Sequence, residues 1–420
     1  MIASNSENHT IVISGAGPAG SMASAFLSKE GIPHLLIDKA LFPRDKICGD
    51  ALSGKVFTVL KKLDPDIRSK MGALESDFLP CEGIVFVAPN GKSLDVPFMS
   101  KSSNEMAGPA GFVSPRMKFD HYLHNYLNEN YADFRQGTEL IEIEQVTGGL
   151  TLTLYSAGIQ YQVFTKLLIS ADGERSLATK KLGKIKKEAD HFSAGIRMYY
   201  EGVDGMHPKN YIELHFLKEF LPGYLWIFPL PNGKANIGAG VLSKHAGKQK
   251  MNLRQQLLDC ISSHPSIKDR FRNAKPLEKV QGWGLPLGSK RRKLCGDHFM
   301  LAGDAASLID PFTGEGISNA MYSGMLAAET ALDALHKDDF SESGLQQYDS
   351  KVYRRLGGEL KLSRTMQKLC NYPFLFNLVV NKAERNREFR ETISCMFDDL
   401  DLRAKLKKPG FYFNLVFGGK

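Results

Sequence analysis

The chain has 420 residues, 43% of them hydrophobic and 24% charged, which suits two or three globular domains and excludes a disordered or collagen-like chain. Six cysteines, at positions 48, 81, 260, 295, 370 and 395, show no CxxC spacing, so neither a metal site nor a disulfide framework is indicated and a reducing, cytoplasmic setting is expected. The net charge is +8, and residues 361–420 hold twelve Lys or Arg against six Asp or Glu, a local excess that fits a solvated helical face better than a nucleic-acid patch.

The polar opening has no signal-peptide pattern, and no apolar run approaches the ~20 residues needed to span a bilayer. Residues 10–14 predict a short buried strand, Gly15-Ala16-Gly17-Pro18-Ala19-Gly20 a turn, 21–30 a helix closed by Gly31, and 32–38 a second parallel strand. Residues 81–98 read as a hairpin around Asn90-Gly91, whose preference for positive φ suits a type I′ turn, and Asn232-Gly233 repeats the signal between 224–230 and 235–241. A helix over 116–129 precedes a meander at 139–146, 150–155 and 160–164, which runs into 166–170. Beyond Gly316 the pattern is helical, with breaks at Pro373 and Pro409.

Three motifs carry chemistry. In the first, Gly15 permits the tight turn, Gly17 lets backbone approach a pyrophosphate, Gly20 allows close helix packing, and the helix that follows Pro18 and Ala19 supplies free N–H donors to an anion. Asp38 closes the next strand, placed to accept hydrogen bonds from a ribose. The second is Ala171-Asp172-Gly173, directly after a strand. The third is Phe299-Met300-Leu301-Ala302-Gly303-Asp304, a hydrophobic strand that delivers Gly-Asp at its carboxyl end, where open α/β sheets bind ligands.

Taken in this order, with Arg116 opening a helix and Pro311-Phe312-Thr313-Gly314-Glu315-Gly316-Ile317 preceding another, the motifs resemble the p-hydroxybenzoate-hydroxylase-type flavoproteins. Within them, Lys46-Ile47-Cys48-Gly49-Asp50 and Tyr224-Leu225-Trp226-Ile227-Phe228-Pro229 resemble the geranylgeranyl reductase branch; the likeness covers residues 8–335. The resemblance implies an α/β fold: a Rossmann-type FAD-binding domain from residues 1–80, 102–185 and 281–335, an inserted antiparallel sheet from 81–101 and 186–280, and a helical region over 336–420. It implies FAD held by the three motifs, with Arg44 and Arg116 near the pyrophosphate and flavin, and with Lys39, Cys48, Gly49, Asp50 and Val146 completing the cofactor set. Gly314, Glu315, Gly316 and Ile317 would bring a helix N-terminus to the flavin edge.

On the substrate side, Cys48, Gly49, Tyr224 and Trp226 are the candidate catalytic residues. Period two places Tyr224, Trp226 and Phe228 on one strand face, where with Phe216 they form either an aromatic wall for an apolar chain or an ordinary sheet core. Reducing a C=C bond needs a hydride and a proton, and Cys48 is the candidate donor of the proton. Tyr224 and Phe228 depart from the WxWxIP segment of halogenases, which disfavours halogenation; aromatic hydroxylation with NAD(P)H and O₂ is the main alternative, and a non-catalytic flavin-binding protein the third. No second dinucleotide fingerprint or CxxC cluster supplies electrons, so an external donor, NAD(P)H or a reduced carrier protein, is expected. The aromatics Phe374, Phe376, Phe411, Tyr412, Phe413 and Phe417 among the C-terminal charges leave peripheral membrane contact open.

Overall fold

The computed structural model describes residues 7–98 and 109–374, together with 377, 380 and 381. The described residues form two large sheets and a small three-stranded one of Ala51–Leu52, Gly111–Val113 and Leu79–Cys81. In the first, five parallel strands lie in the order Phe299–Leu301, Ile159–Ser170, Glu7–Ser14, His34–Asp38 and Ala132–Gln136. Their near-continuous apolar runs are buried on both faces, with Ile11, Val12, Ile13, Leu35, Leu36, Leu167 and Leu168 inaccessible to solvent. The helix Pro18–Lys29 packs on this sheet and against the long helix Ile317–Lys337. Gly324 makes that helix contact possible: a Cβ there would lie 2.0 Å from the Ala19 carbonyl oxygen.

The expected strands 160–164 and 166–170 are one continuous strand, Ile159–Ser170. Its first half forms a hairpin with Gly149–Ser156, and its second part, from Val163 to Ser170, pairs in parallel with Glu7–Ser14. The helix expected to reach residue 129 stops at Leu123, followed by a single turn, His124–Tyr126. The reason is local: Asn128 accepts from the Asn130 N–H through its side chain and from the Tyr131 N–H through its carbonyl, an alternative to the helical ladder.

The second sheet has the order Lys275–Pro276, Phe192–Glu201, Lys234–Leu242, Tyr224–Leu230, Ile212–His215, Gly83–Val87 and Ser93–Pro97. It is antiparallel except where Ile212–His215 runs parallel to Gly83–Val87; these two segments come from distant parts of the chain, so no hairpin fixes their direction. Gln281–Pro286, expected in the dinucleotide-binding part, pairs instead with Phe192–Glu201, which carries the second sheet to residue 286. At Asn232-Gly233 both residues have positive φ, 62° and 68°, as a type I′ turn requires. At Asn90-Gly91 only Gly91 does, at 81°, because Pro89 fixes a negative φ and the connection becomes a longer turn closed by Gly91 N–H to Ala88 O and Ala88 N–H to Lys92 O.

The helix Gln347–Leu369 ties the two parts together. Its Leu356 and Leu360 join the core of the first sheet, whereas Leu362 and Met366 join that of the second. Between Leu356 and Leu360, Glu359 forms an ion pair of 2.6 Å with Lys55, whose side chain is only 4% exposed. Burial alone would depress the Lys55 ammonium, but Glu359, Glu315 and Asp310 reverse this and hold it above the usual lysine value. Of the C-terminal aromatics, Phe374 is exposed, and Phe376, Phe411, Tyr412, Phe413 and Phe417 lie outside the described residues. Removing one partner of the buried pair leaves an uncompensated charge, so Glu359→Gln is expected to lower unfolding stability by about 3–5 kcal/mol, while Lys55→Met with Glu359→Leu recovers most of it. Denaturant unfolding of the three proteins checks this, and equal stability of wild type and Glu359→Gln would contradict it.

Candidate active site

The carboxyl ends of the parallel strands converge. Gly15 N–H donates to Ile37 O at 2.7 Å, Ala171 N–H to Ser14 O at 2.7 Å and Ala302 N–H to Ser170 O at 2.8 Å, so the three glycine-bearing turns lie side by side on one sheet edge. Gly15 and Gly20 are fixed by steric necessity: a Cβ on Gly15 would sit 2.5 Å from Ala171 O, and one on Gly20 would sit 1.7 Å from Gly15 O. A Cβ on Gly17 would meet nothing nearer than an Arg44 guanidinium nitrogen at 3.6 Å, and one on Gly173 would meet nothing within 4 Å, so at both positions the backbone faces open space. The unpaired N–H groups at the start of the helix Pro18–Lys29 open onto that space and favour an anion.

Asp38 takes the N–H groups of Ala16 and Ala40, both at 2.8 Å, which sets its carboxylate across the turn. Asp172 behaves differently. Its carboxylate accepts from the Ser170 hydroxyl and the Leu177 N–H, so its side chain secures the turn and leaves Gly173 to face the cavity. Burial raises the pKa of Asp172 in spite of these bonds. Asp304 pairs with Lys46 at 3.1 Å.

Residues 44–50 cross from the first sheet to the second, anchored at nearly every step. Arg44 pairs with Asp120 at 2.6 Å, and Asp120 also takes two bonds from Arg116, whose side chain is only 2% exposed. Burial would raise the Asp120 pKa, but Arg116 and Arg44 prevail and hold it below the usual carboxylate range. Asp45 pairs with Arg197 of the second sheet, as does Glu278, and the Arg197 guanidinium lies 3.9 Å over the Tyr199 ring. The Cys48 carbonyl accepts from Asn236 Nδ2 at 2.7 Å.

Asp50 is fully buried and holds a left-handed φ of 71°. Its Oδ2 accepts from Tyr199 Oη and Asn236 Nδ2, both at 2.8 Å, while its Oδ1 has no partner. Burial pushes its carboxyl up to about 7 against the opposing pull of Asn236, Tyr199 and Arg197.

The expected aromatic face exists. Tyr224, Trp226 and Phe228 all line the cavity, whereas Leu225 and Ile227 point into a separate core on the other side of the sheet. Each aromatic lies over a glycine. A Cβ on Gly49 would be 2.9 Å from the Phe228 ring, one on Gly238 2.2 Å from the Trp226 ring, and one on Gly314 2.7 Å from Tyr224 Oη. Tyr224 Oη also donates to Thr313 O, and Trp226 Nε1 donates to Asn236 Oδ1 at 2.8 Å. Phe216 stands behind this wall, stacked on Phe312 at 5.6 Å and on Phe86 at 6.1 Å.

Gly15, Gly17, Pro18, Ala19, Asp38, Lys39, Arg44, Cys48, Gly49, Asp50, Arg116, Asp172, Gly173, Gly303, Asp304, Pro311, Gly314, Glu315, Gly316 and Ile317, with Tyr224 and Trp226, line a single cavity of about 560 Å³. Gly20 sits one layer behind it. Val146 does not belong there: it lies at the exposed turn end of the strand Thr138–Val146, and the opposite end of that strand, at Thr138, Glu139 and Leu140, reaches the cavity. Sequence reading also missed Tyr199 and Asn236, whose polar side chains sit on strands with no motif around them, and Trp283, which lines the cavity with its indole N–H unpartnered.

These groups suit FAD. Backbone at Gly17, Gly173 and Gly303 and a helix N-terminus open on the cavity, the Asp38 and Asp304 carboxylates line it, and the buried Asp50 Oδ1 and Trp283 Nε1 retain unused hydrogen-bonding capacity, a set of groups that would fit a dinucleotide. Fold and site together define an FAD-binding flavoprotein of the p-hydroxybenzoate-hydroxylase type.

Comparison with known proteins agrees. Residues 8–357 match the FAD binding domain family. The digeranylgeranylglycerophospholipid reductase of Methanococcus vannielii is 31% identical over 377 residues, covering 86% of this chain and 88% of that protein. The menaquinone reductase of Mycobacterium tuberculosis is 30% identical over 368 residues, covering 86% and 84%. Among solved structures, a geranylgeranyl bacteriochlorophyll reductase-like protein from Thermoplasma acidophilum shares the fold with a TM-score of 0.79 at 23% identity, over 96% of this chain and 100% of that one. A flavin-dependent brominase shares it with a TM-score of 0.74 at 22% identity, over 93% and 94%. The chain belongs to the FAD binding domain family and is a geranylgeranyl-reductase-like FAD-dependent oxidoreductase.

A carboxyl that keeps its proton longer in the native state than in the unfolded chain costs stability as pH rises from the ordinary aspartate range to about 7. Asp50→Asn is therefore expected to flatten the decline in unfolding stability between pH 5 and pH 8, read from denaturation midpoints across that range. An unchanged slope would show that Asp50 does not titrate there.

Proposed function

We propose that the protein reduces carbon–carbon double bonds of an isoprenoid or similarly apolar substrate, with FAD as the hydride source. The observation that carries this reading is the continuity of one cavity from the phosphate-binding turns at the sheet edge to an apolar chamber walled by Trp226, Phe228, Leu214 and Phe112. The names of the relatives, digeranylgeranylglycerophospholipid reductase and menaquinone reductase, support an isoprenoid-bearing substrate.

Bound and reduced, FAD supplies a hydride from its N5 position. The surrounding residues do the rest. The turns at Gly17, Gly173 and Gly303 and the carboxylates of Asp38 and Asp304 would hold the dinucleotide, and Arg44 and Arg116, which line the same cavity, would supply positive charge near it. Tyr224, bonded to Thr313, keeps the loop that precedes the helix Ile317–Lys337 pressed to the substrate sheet. Trp226 and Phe228 exclude water from the chamber.

The proton comes from Cys48, a half-buried thiol that lines the cavity wall. Asp50, wholly buried, acts through this loop by bonding Asn236, which in turn holds the Cys48 carbonyl and the Trp226 indole. Electrons reach the flavin from an external donor, NAD(P)H or a reduced carrier protein. The protein works in the cytoplasm, and no helix among the described residues is long and apolar enough to cross a membrane. Peripheral contact by residues 361–420 would give it access to substrates held in lipid.

Mixed without oxygen with geranylgeranyl diphosphate, the dithionite-reduced holoenzyme should be reoxidised and yield a product with saturated bonds. A strict need for O₂ and an oxygenated product would establish a monooxygenase instead. In the same single-turnover experiment Cys48→Ser is expected to slow reoxidation by about 10²–10⁴-fold, the usual contribution of a positioned proton donor; an unchanged rate would remove Cys48 from the reaction.

A further inference from the structure

At one end of the chamber Pro222, Leu242 and Gln367 line both the main cavity and a second one of about 310 Å³. The character of the wall changes across these three residues. The main cavity is apolar near Trp226, whereas Lys244, Lys248, Arg364 and Lys368 surround the second, with His245 beside them and Asp190 as the one carboxylate among the described residues that line it.

That carboxylate is already engaged. Asp190 pairs with Lys244 at 2.8 Å, and this bond holds its pKa below the usual range. Lys248 and Lys368 form no ion pair among the described residues, and the Arg364 guanidinium donates to the neutral Gln367 side chain. Arg364 is only partly exposed, and burial lowers its pKa because Asp190 offsets too little of the cost. The same surplus reaches His191, whose pKa is lowered by burial and then by Arg364 and Arg292. Four cations thus share a concave site with a single carboxylate among the described residues, a surplus that favours a ligand carrying more than one negative charge over a single carboxylate.

We infer that this second cavity seats the phosphate-bearing head group of an amphiphilic substrate, whose apolar chain passes Pro222 and Leu242 into the chamber beside Trp226. The inference rests on the isoprenoid reading for the chain, while the head-group site is argued from charge and cavity shape alone. A phosphate held here would fix how far along the chain the reacting double bond lies from the head. Diphosphate monoesters and phospholipids share the required chemistry, and both carry it at the end of an apolar chain.

Equilibrium binding to the FAD-loaded enzyme, followed by calorimetry, tests the site with three probes: geranylgeraniol, geranylgeranyl diphosphate and a phosphatidic acid bearing two isoprenoid chains. Charge-assisted bonds to phosphate should make at least one phosphate-bearing probe bind about tenfold or more tightly than the alcohol, and the tighter of the two identifies the source of the head group. Arg364→Gln with Lys368→Gln should abolish that preference and leave geranylgeraniol binding unchanged; Lys248→Gln alone, on a different element, should reduce it. Equal affinity of wild type for all three probes, or a preference that survives both variants, would overturn the proposal. So would variants that lose only adsorption to anionic phospholipid vesicles, which would mark a membrane-facing surface. A preference for phosphate without flavin reoxidation would sink the reductase reading and leave the head-group site standing.

Discussion

Everything in the site depends on the alignment of three turns along one edge of a parallel sheet. Each turn is held by a backbone hydrogen bond to the neighbouring strand, from Gly15 to Ile37, from Ala171 to Ser14 and from Ala302 to Ser170. Parallel pairing places the carboxyl ends of all the strands on the same side, so segments more than a hundred residues apart in sequence become adjacent donors around one elongated cavity. The tight packing beneath them, with Gly20 against Gly15 and Gly324 against Ala19, leaves no room for the helices to shift and so fixes where an anion can sit.

The second constraint is the contact of aromatic rings with glycines. Phe228 lies on Gly49, Trp226 on Gly238 and the Tyr224 hydroxyl on Gly314. Two of these glycines belong to loops of the dinucleotide-binding part, so the close approach of ring to backbone joins the substrate sheet to the flavin-binding loops. The aromatic stack of Phe86, Phe216 and Phe312 extends the same junction behind the wall. A chamber for an apolar chain and a site for a dinucleotide are therefore two ends of one packed structure.

Charge is distributed along this structure with a purpose that burial reveals. Arg116, Asp120 and Arg44 form a hydrogen-bonded ion-pair network on one side of the 44–50 loop, and on the other side the buried Arg197 pairs with the partly exposed Asp45 and Glu278. Between them Asp50 is left with an unpartnered oxygen and no cation in direct contact, the condition under which a carboxyl retains its proton near neutral pH. At the far end, the surplus of cations around Arg364 lines a second cavity that shares Pro222, Leu242 and Gln367 with the first, so positive charge borders the apolar chamber there.

The sequence by itself determined the parts governed by local chemistry: the Gly15 to Gly20 turn with Asp38, the two later Asp-bearing turns, the two-residue periodicity that faces Tyr224, Trp226 and Phe228 to one side, and hence the flavoprotein class. Glycine spacing and strand periodicity are short-range properties, which is why they could be read directly. Tertiary structure decided what depends on register and crossover. It placed Thr138 and Leu140 rather than Val146 at the cavity, because the functional end of that strand is set by its pairing and not by its composition. It assigned Gln281–Pro286 to the second sheet, where a glycine-rich run carries no strand signal of its own. It also brought Tyr199 and Asn236 onto Asp50 and gathered lysines from two helices with Arg364 into one cavity, since partners separated by many tens of residues leave no local trace in a sequence and meet only when the sheets close.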